Sequence, residues 1–241
     1  MNISMINNRK ESYNMVNNKD VIDLLNKGNM VAKEISESKH SRYLSWEYSY
    51  FNFNNDELIN KFDNNDEYYD YLALNLAFYL ASWGMYRGSG FLLNYDYKIH
   101  VNLVKNLIEY KENNKFDYKK IIDIKEYKII SNIITDTYNL DTCSNHNLTK
   151  TLITKILLGT FGNIPAFDRY LINALKKLGC ESYSVNEKSI LFLNDLWSKM
   201  SIEIEKSNSD YRYIKEIFKD KGYSPMKVLD MCLWKYGKDM E

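Results

Sequence analysis

The stretch Tyr68-Tyr-Asp-Tyr-Leu72-Ala-Leu-Asn75-Leu-Ala-Phe-Tyr-Leu80-Ala-Ser-Trp83-Gly-Met-Tyr-Arg87 decides the fold class. It contains no proline, shows no strand-like alternation, and is apolar around most of a helical circumference, which predicts a helix at the centre of a bundle. Its most apolar part, Leu72 to Met85, is 14 residues long and interrupted by Asn75 and Ser82. A bilayer span needs roughly 18 to 20 residues, so this is a core helix and no membrane partner is expected. Gly84, Gly88 and Gly90 cluster near its end, where they can terminate the helix or admit another backbone.

Outward from this helix, the same periodicity recurs almost everywhere. Toward the N-terminus it predicts helices over Lys19–Ser38 and, in an aromatic segment, Arg42–Phe53. Toward the C-terminus it predicts Ile99–Lys111, Tyr118–Tyr138, Leu148–Phe161, Arg169–Leu178, Glu187–Lys206, Tyr211–Phe218 and Pro225–Tyr236. Ser224 before Pro225 is a strong start, since the hydroxyl caps while proline needs no N–H in the first turn. The fold class is therefore all-α, a compact multi-helix bundle. We divide the chain into a flexible tail at 1–18 and a single all-helical domain at 19–241.

At 241 residues and 45% hydrophobic content the chain can bury its own core as one domain or two intimate lobes. Its 32 basic residues balance 32 acidic ones, so any polyanion contact must come from a local basic patch. Cys143, Cys180 and Cys232 are odd in number and lack a CxxC pair, as expected of reduced thiols in a cytoplasmic protein without a signal peptide. His40, His100 and His146 have no metal-ligand spacing and the cysteines do not complement them, so no metal is expected. Neither a P-loop nor a GxGxxG after a strand is present, so no cofactor is expected either.

Two phrases set charge inside aromatic surroundings: Arg42-Tyr-Leu-Ser-Trp46-Glu47-Tyr-Ser-Tyr50 and Leu80-Ala-Ser-Trp83-Gly-Met-Tyr86-Arg87. A charge in such a setting should find a partner, and Glu47 with Arg87 is the obvious pair, with Arg42 as the alternative. The other reading is a substrate pocket in which Arg87 binds an anion and Trp46, Trp83 or Tyr86 stacks on a planar group such as a base.

A third segment carries a chemical suggestion. Lys150-Thr-Leu-Ile-Thr-Lys155-Ile-Leu-Leu-Gly-Thr-Phe-Gly-Asn-Ile-Pro165-Ala-Phe-Asp168-Arg-Tyr-Leu-Ile-Asn-Ala-Leu-Lys-Lys-Leu178-Gly reads as helix, turn, helix, with Asp168 opening the second helix. As plain structure, Asp168 is an N-cap and the lysines are solvated.

This run of about thirty residues resembles the segment of helix-hairpin-helix base-excision DNA glycosylases that leads from a lysine-bearing helix to a catalytic aspartate. The resemblance implies a glycosylase-like fold and an aspartate, here Asp168, that stabilises the positive charge developing on the sugar as the base departs. It implies a lysine nucleophile at Lys150, with Lys155 as an off-register rival. Arg169 and Tyr170, which follow Asp168, join the substrate-binding set. The family's Gly-rich phosphate-binding hairpin is replaced here by Ser144-Asn-His-Asn-Leu-Thr149, without glycine. Together with the two aromatic phrases, the segment also resembles an uncharacterised family of bacterial all-helical proteins, a resemblance that adds no mechanism. The functional expectation is a DNA-acting, glycosylase-like protein. The alternatives are a non-enzymatic helical interaction protein with a protein partner, or a small-molecule binder using an Arg and aromatic pocket.

Overall fold

The computed structural model describes residues 16–114, 120–207 and 209–241. Among them run ten α-helices and no strand. Most of the expected tail, residues 1–15, lies outside the described residues. Val16 is already buried in the core, and Asn17 caps the first helix by accepting from the Asp20 N–H.

The helices are α1 (Asn18–Glu37), α2 (Leu44–Phe53), α3 (Asn65–Ser82), α4 (Val101–Asn114), α5 (Ile124–Thr142), α6 (Lys150–Thr160), α7 (Arg169–Lys177), α8 (Glu187–Lys206), α9 (Arg212–Lys215) and α10 (Pro225–Lys238). Side-chain caps explain most starts: Asn64 for α3, Asp123 for α5, Thr149 for α6, Asn186 for α8 and Ser224 for α10. The helix expected from Tyr118 begins at Ile124, where the Asp123 carboxylate accepts from the Lys125 and Glu126 N–H groups. Residues 118 and 119 lie outside the described residues. The helix expected over Tyr211–Phe218 is one α turn that widens into a π turn at Glu216–Asp220.

The long apolar helix departs from expectation at its end and in its place. It stops at Ser82 rather than running to Arg87, because Gly84 is left-handed, with φ 75°. The Gly84 N–H then returns to the Ala81 carbonyl and the Met85 N–H to the Leu80 carbonyl, which satisfies the last helical acceptors. Nor is α3 the centre of the bundle, since Tyr71, Leu74 and Phe78 remain 37%, 49% and 52% exposed. The centre is α6, which buries every residue from Leu152 to Thr160, together with α10, which buries all of Met226–Gly237 except Lys235. Apolar composition around α3 reports what the helix tolerates, whereas burial depends on how many neighbours surround it.

Packing sorts the helices into two groups. In one, α3 packs on α2, α4 and α6, while α5 lies on α4. In the other, α10 packs on α1, α7 and α8, and α1 also holds α9. The first helix therefore belongs spatially with the last four. Gly237 makes one of these contacts possible, since a Cβ there would lie 1.9 Å from the Tyr170 carbonyl oxygen. The close approach brings Trp234 of α10 edge-on to Tyr170, with ring centroids 5.6 Å apart.

Candidate functional site

The turn from α6 to α7 is buried from Phe161 through Phe167, an unusual place for a loop, because its backbone polar groups need partners away from water. They find them in two helices and in the segment before α5, where the Ile122 N–H donates to the Asn163 carbonyl at 3.0 Å. The Ala166 N–H donates to Asp230 Oδ1 of α10 at 2.9 Å, and the Phe167 N–H donates to Thr154 Oγ1 at 2.8 Å. Thr151 Oγ1 donates to the Phe167 carbonyl at 2.8 Å. These bonds fix the stem on which Asp168 stands.

Asp168 uses both of its oxygens. Oδ1 accepts from the Tyr170 and Leu171 N–H groups at 3.0 and 3.1 Å, capping α7. Oδ2 faces Lys155 Nζ at 3.6 Å, in an ion pair whose side chains are 4% and 16% exposed. The spacing of thirteen residues between them is bridged by the pinned turn, which returns the chain to the helix it left. Cap and charge partner are thus one residue in one conformation.

Behind Lys155 lies a second buried pair, Lys227 and Asp230, with Nζ 3.5 Å from Oδ2. Burial pushes the Lys227 ammonium below its ordinary range, with Asp230 opposing, and pushes the Asp230 carboxyl up, with Lys227 and the Ala166 N–H opposing. Each is the other's opposing partner, so removing one would leave the other buried without it. The Trp83 ring ties the cluster together: Lys155 Nζ lies 5.2 Å from its centroid, Lys227 Nζ 5.6 Å, and the Arg42 guanidinium 4.9 Å.

Asp168 and Lys155 open on a cleft of about 690 Å³ between the two helical groups. Its walls hold Arg42, Trp83, Tyr86, Arg87, Thr151, Arg169, Tyr170, Trp234 and Lys238. Five cationic side chains therefore face one carboxylate, so the cleft is locally basic within a chain of zero formal charge. The Arg169 guanidinium lies 4.6 Å from the Tyr170 ring centroid and donates to its hydroxyl, while Lys238 Nζ lies 4.8 Å from the Trp234 centroid. Trp234 meets Tyr170 and Trp83 edge-on at 5.6 Å.

Most of the residues singled out in the sequence come together here, and three do not. Lys150 is turned away, its Nζ donating to the Tyr183 carbonyl at 2.7 Å, because five residues along a helix place it on a different side from Lys155. Trp46 is fully buried, stacked on Tyr50 at 4.5 Å, and its indole N–H donates to the Leu158 carbonyl at 2.7 Å. It is core. Glu47 accepts from the Tyr223 hydroxyl and lies 3.9 Å from Lys221, so the pairing of Glu47 with Arg87 is corrected. Arg87 is exposed beside the cleft and folds back over Gly84, where a Cβ would strike its guanidinium at 2.8 to 2.9 Å.

Four participants were missed: Lys227, Asp230, Trp234 and Lys238, all on α10. A signal was present. In Met226-Lys-Val-Leu-Asp-Met-Cys-Leu-Trp234 the apolar residues surround positions 227 and 230 on every side, so those two charges have no outward face.

Among the described residues, no group of three His, Cys, Asp or Glu side chains could hold a metal ion, and no helix is long and apolar enough to cross a membrane. Cys180 and Cys232 are buried free thiols and Cys143 is exposed. Compared with known proteins, the chain matches no family model, no curated protein and no solved structure.

Proposed function

We propose that the chain acts on DNA by the logic of base excision, with an extruded nucleotide held in the cleft between two glycosylase-like lobes. The observation that carries this reading is the Lys155–Asp168 pair at 3.6 Å, opening on a basic, aromatic cleft that also contains Arg87. Extrusion takes the target nucleotide out of the stack, and aromatic walls with cationic rims suit a base and its phosphates. Tyr86, Tyr170 and Trp234 supply the aromatic surface. Trp83 is less suited to stacking, because three cations already surround its ring.

In this mechanism the Asp168 carboxylate stabilises the positive charge on the sugar as the glycosidic bond breaks and its electron pair leaves with the base. Lys155 takes the nucleophile's role rather than Lys150. Its ammonium passes a proton to Asp168, the free amine forms the Nζ–C1′ bond as the C1′–base bond breaks, and the Asp168 carboxyl hands that proton to the departing base, which restores the carboxylate facing the cationic sugar. Asp230 acts one step removed, by holding the Ala166 N–H and thereby the stem of Asp168.

The test is Asp168→Asn, assayed on duplexes that each carry one altered base. Asparagine keeps the cap and removes the charge. Base release should fall by about 100-fold or more with the fold intact, and unchanged release would sink the assignment. Binding of the same duplexes should weaken with a negative slope against salt.

A second reading, a helical interaction protein, is favoured by the apolar stripe Tyr71, Leu74 and Phe78 on α3. Under it, Asp168→Asn changes nothing but stability.

A further inference from the structure

The cations that face the cleft are not alike. Lys155 lies against Asp168, and Arg169 lies 3.3 Å from Glu241 Oε2. Arg42, Arg87 and Lys238 are exposed, and among the described residues none of the three has a carboxylate within ion-pair distance. The chain does place such a partner close by: Lys27 and Lys235 share Asp239, the residue next to Lys238. The cleft thus carries positive charge that its own residues leave uncompensated. Tyr86 does not add to it, since its hydroxyl is spent on the fully buried His100, 2.7 Å from Nε2.

Two of these cations share one ring. The Arg42 guanidinium lies 5.6 Å from the Trp234 centroid and Lys238 Nζ 4.8 Å. Arg42 is also held by Trp83 at 4.9 Å and Tyr43 at 5.7 Å. Trp83 and Trp234 both line the cleft, so the charged end of Arg42 stands at its wall. Ring faces fix a guanidinium and attract its charge without using up its N–H groups. Even with a hydrogen bond spent on the Tyr43 hydroxyl, the fork that matches an oxyanion retains donors.

We infer that Arg42 and Lys238 form a phosphate subsite that holds the target nucleotide's own phosphate while its sugar meets Lys155 and Asp168. The inference rests on the nucleotide reading of the cleft and adds the place of the phosphate. Arg42 Cζ and Lys155 Nζ lie 4.9 and 5.2 Å from the same Trp83 centroid, so one nucleotide reaches both. Arginine matches a phosphate bidentately, and lysine adds a point charge. Arg42 precedes α2 and Lys238 ends α10, so the bound phosphate joins one helical group to the other. Lys155 is left to the sugar, because its charge is already met by Asp168.

The test pairs a change in the protein with a change in the ligand. Wild type and variants are titrated with a short duplex carrying one tetrahydrofuran abasic analogue. The same duplex is then used with uncharged methylphosphonates in place of the phosphates flanking the analogue. Wild type should bind the uncharged version about 10-fold more weakly. Arg42→Gln should bind the parent duplex about 10-fold more weakly than wild type, yet lose less than about 2-fold on that exchange. Lys238→Gln should show the same loss of sensitivity. Arg42→Lys keeps the charge and the stem over the rings, so it should retain the wild-type salt slope, whereas that of Arg42→Gln falls by about one. Where Arg42→Gln does not fold, Arg42→Lys carries the cycle, since a point charge recovers only part of the methylphosphonate penalty. Thymidine 5′-monophosphate against thymidine separates a free nucleotide from a strand, and the Arg42-dependent preference should follow whichever probe binds. Undiminished sensitivity in both Arg42→Gln and Lys238→Gln overturns the inference and leaves the nucleotide reading standing. Failure of wild type to bind duplex or monophosphate overturns both.

Discussion

The two aromatic phrases look alike as text and have opposite fates. Trp46 stands in the first turn of α2, which runs on to Phe53 and carries the indole into the interior, where its N–H meets the Leu158 carbonyl and its ring stacks on Tyr50. Around Trp83 the helix ends: Trp83 is the C-cap residue and Gly84 reverses the backbone. Its indole N–H has no hydrogen-bond partner among the described residues, and its ring gathers cations instead. Lys227 Nζ also lies 5.2 Å from the Trp46 centroid, so a cation alone does not separate the two; full burial with a satisfied N–H makes Trp46 architecture, whereas the partly exposed Trp83 at a helix end lines the cleft. The lesson is that termination, more than composition, decides which aromatic cluster faces a cleft.

The largest effect should come from breaking the first phrase. Trp46→Ala removes a fully buried side chain and leaves a cavity, at a cost of about 3–5 kcal/mol by urea unfolding. Trp83 is partly exposed, and Trp83→Ala should cost less, in proportion to the smaller area it buries. Equal losses would erase the distinction between core and cleft.

Acid should sharpen the comparison next. Tyr86 of the second phrase is tethered to His100, whereas Trp46 is tethered to a carbonyl, which does not titrate in this range. The folded pKa of His100, about 3, lies below its ordinary 6.5. The unfolded chain therefore takes up the proton first. The stability that His100 contributes is complete above pH 6.5 and is lost as pH falls toward 3, by about 1.4 kcal/mol per unit, or about 2 kcal/mol at pH 5. Urea midpoints of wild type should show this slope between pH 7 and pH 5, and those of His100→Gln should lack that component.

Gly84→Ala attacks the termination itself. With φ at 75° and the Arg87 guanidinium 2.8 Å from the added carbon, it should cost about 1–2 kcal/mol and displace Arg87 from the cleft. DNA affinity should then fall at low salt more than at high salt.

Much of the fold was legible because helices announce themselves locally. The span Glu187–Lys206 agrees at both ends, since Asn186 and Ser189 form a capping box before an amphipathic run. Ser224 with Pro225 marked α10 in the same way. The misplaced centre was not local information: α3 carries more apolar residues than its position uses, while α6 and α10 are central because both helical groups close over them. The site was half legible for the same reason. Asp168, Arg87, Arg42, Trp83 and Tyr86 stand near turns that can be read from sequence. Lys227 and Asp230 reach the site only through packing of α10 across the α6–α7 turn, which no spacing in one chain encodes.

The smallest effect separates two lysines five residues apart. Register favoured Lys150, and geometry favours Lys155. Lys150 makes a hydrogen bond to the Tyr183 carbonyl at the surface, so Lys150→Gln should shift stability by no more than about 0.5 kcal/mol. It should also leave a borohydride-trapped adduct with abasic DNA undiminished, since its amine lies outside the cleft. Lys155→Gln should abolish that adduct while retaining a polar side chain beside Asp168, and asparagine at 168 in the same protein would keep the cap and remove the carboxylate left unpaired. An adduct that disappears with Lys150 and survives in Lys155→Gln would return the nucleophile to the position that sequence register favours, and would require the N-terminus of α6 to turn toward the cleft.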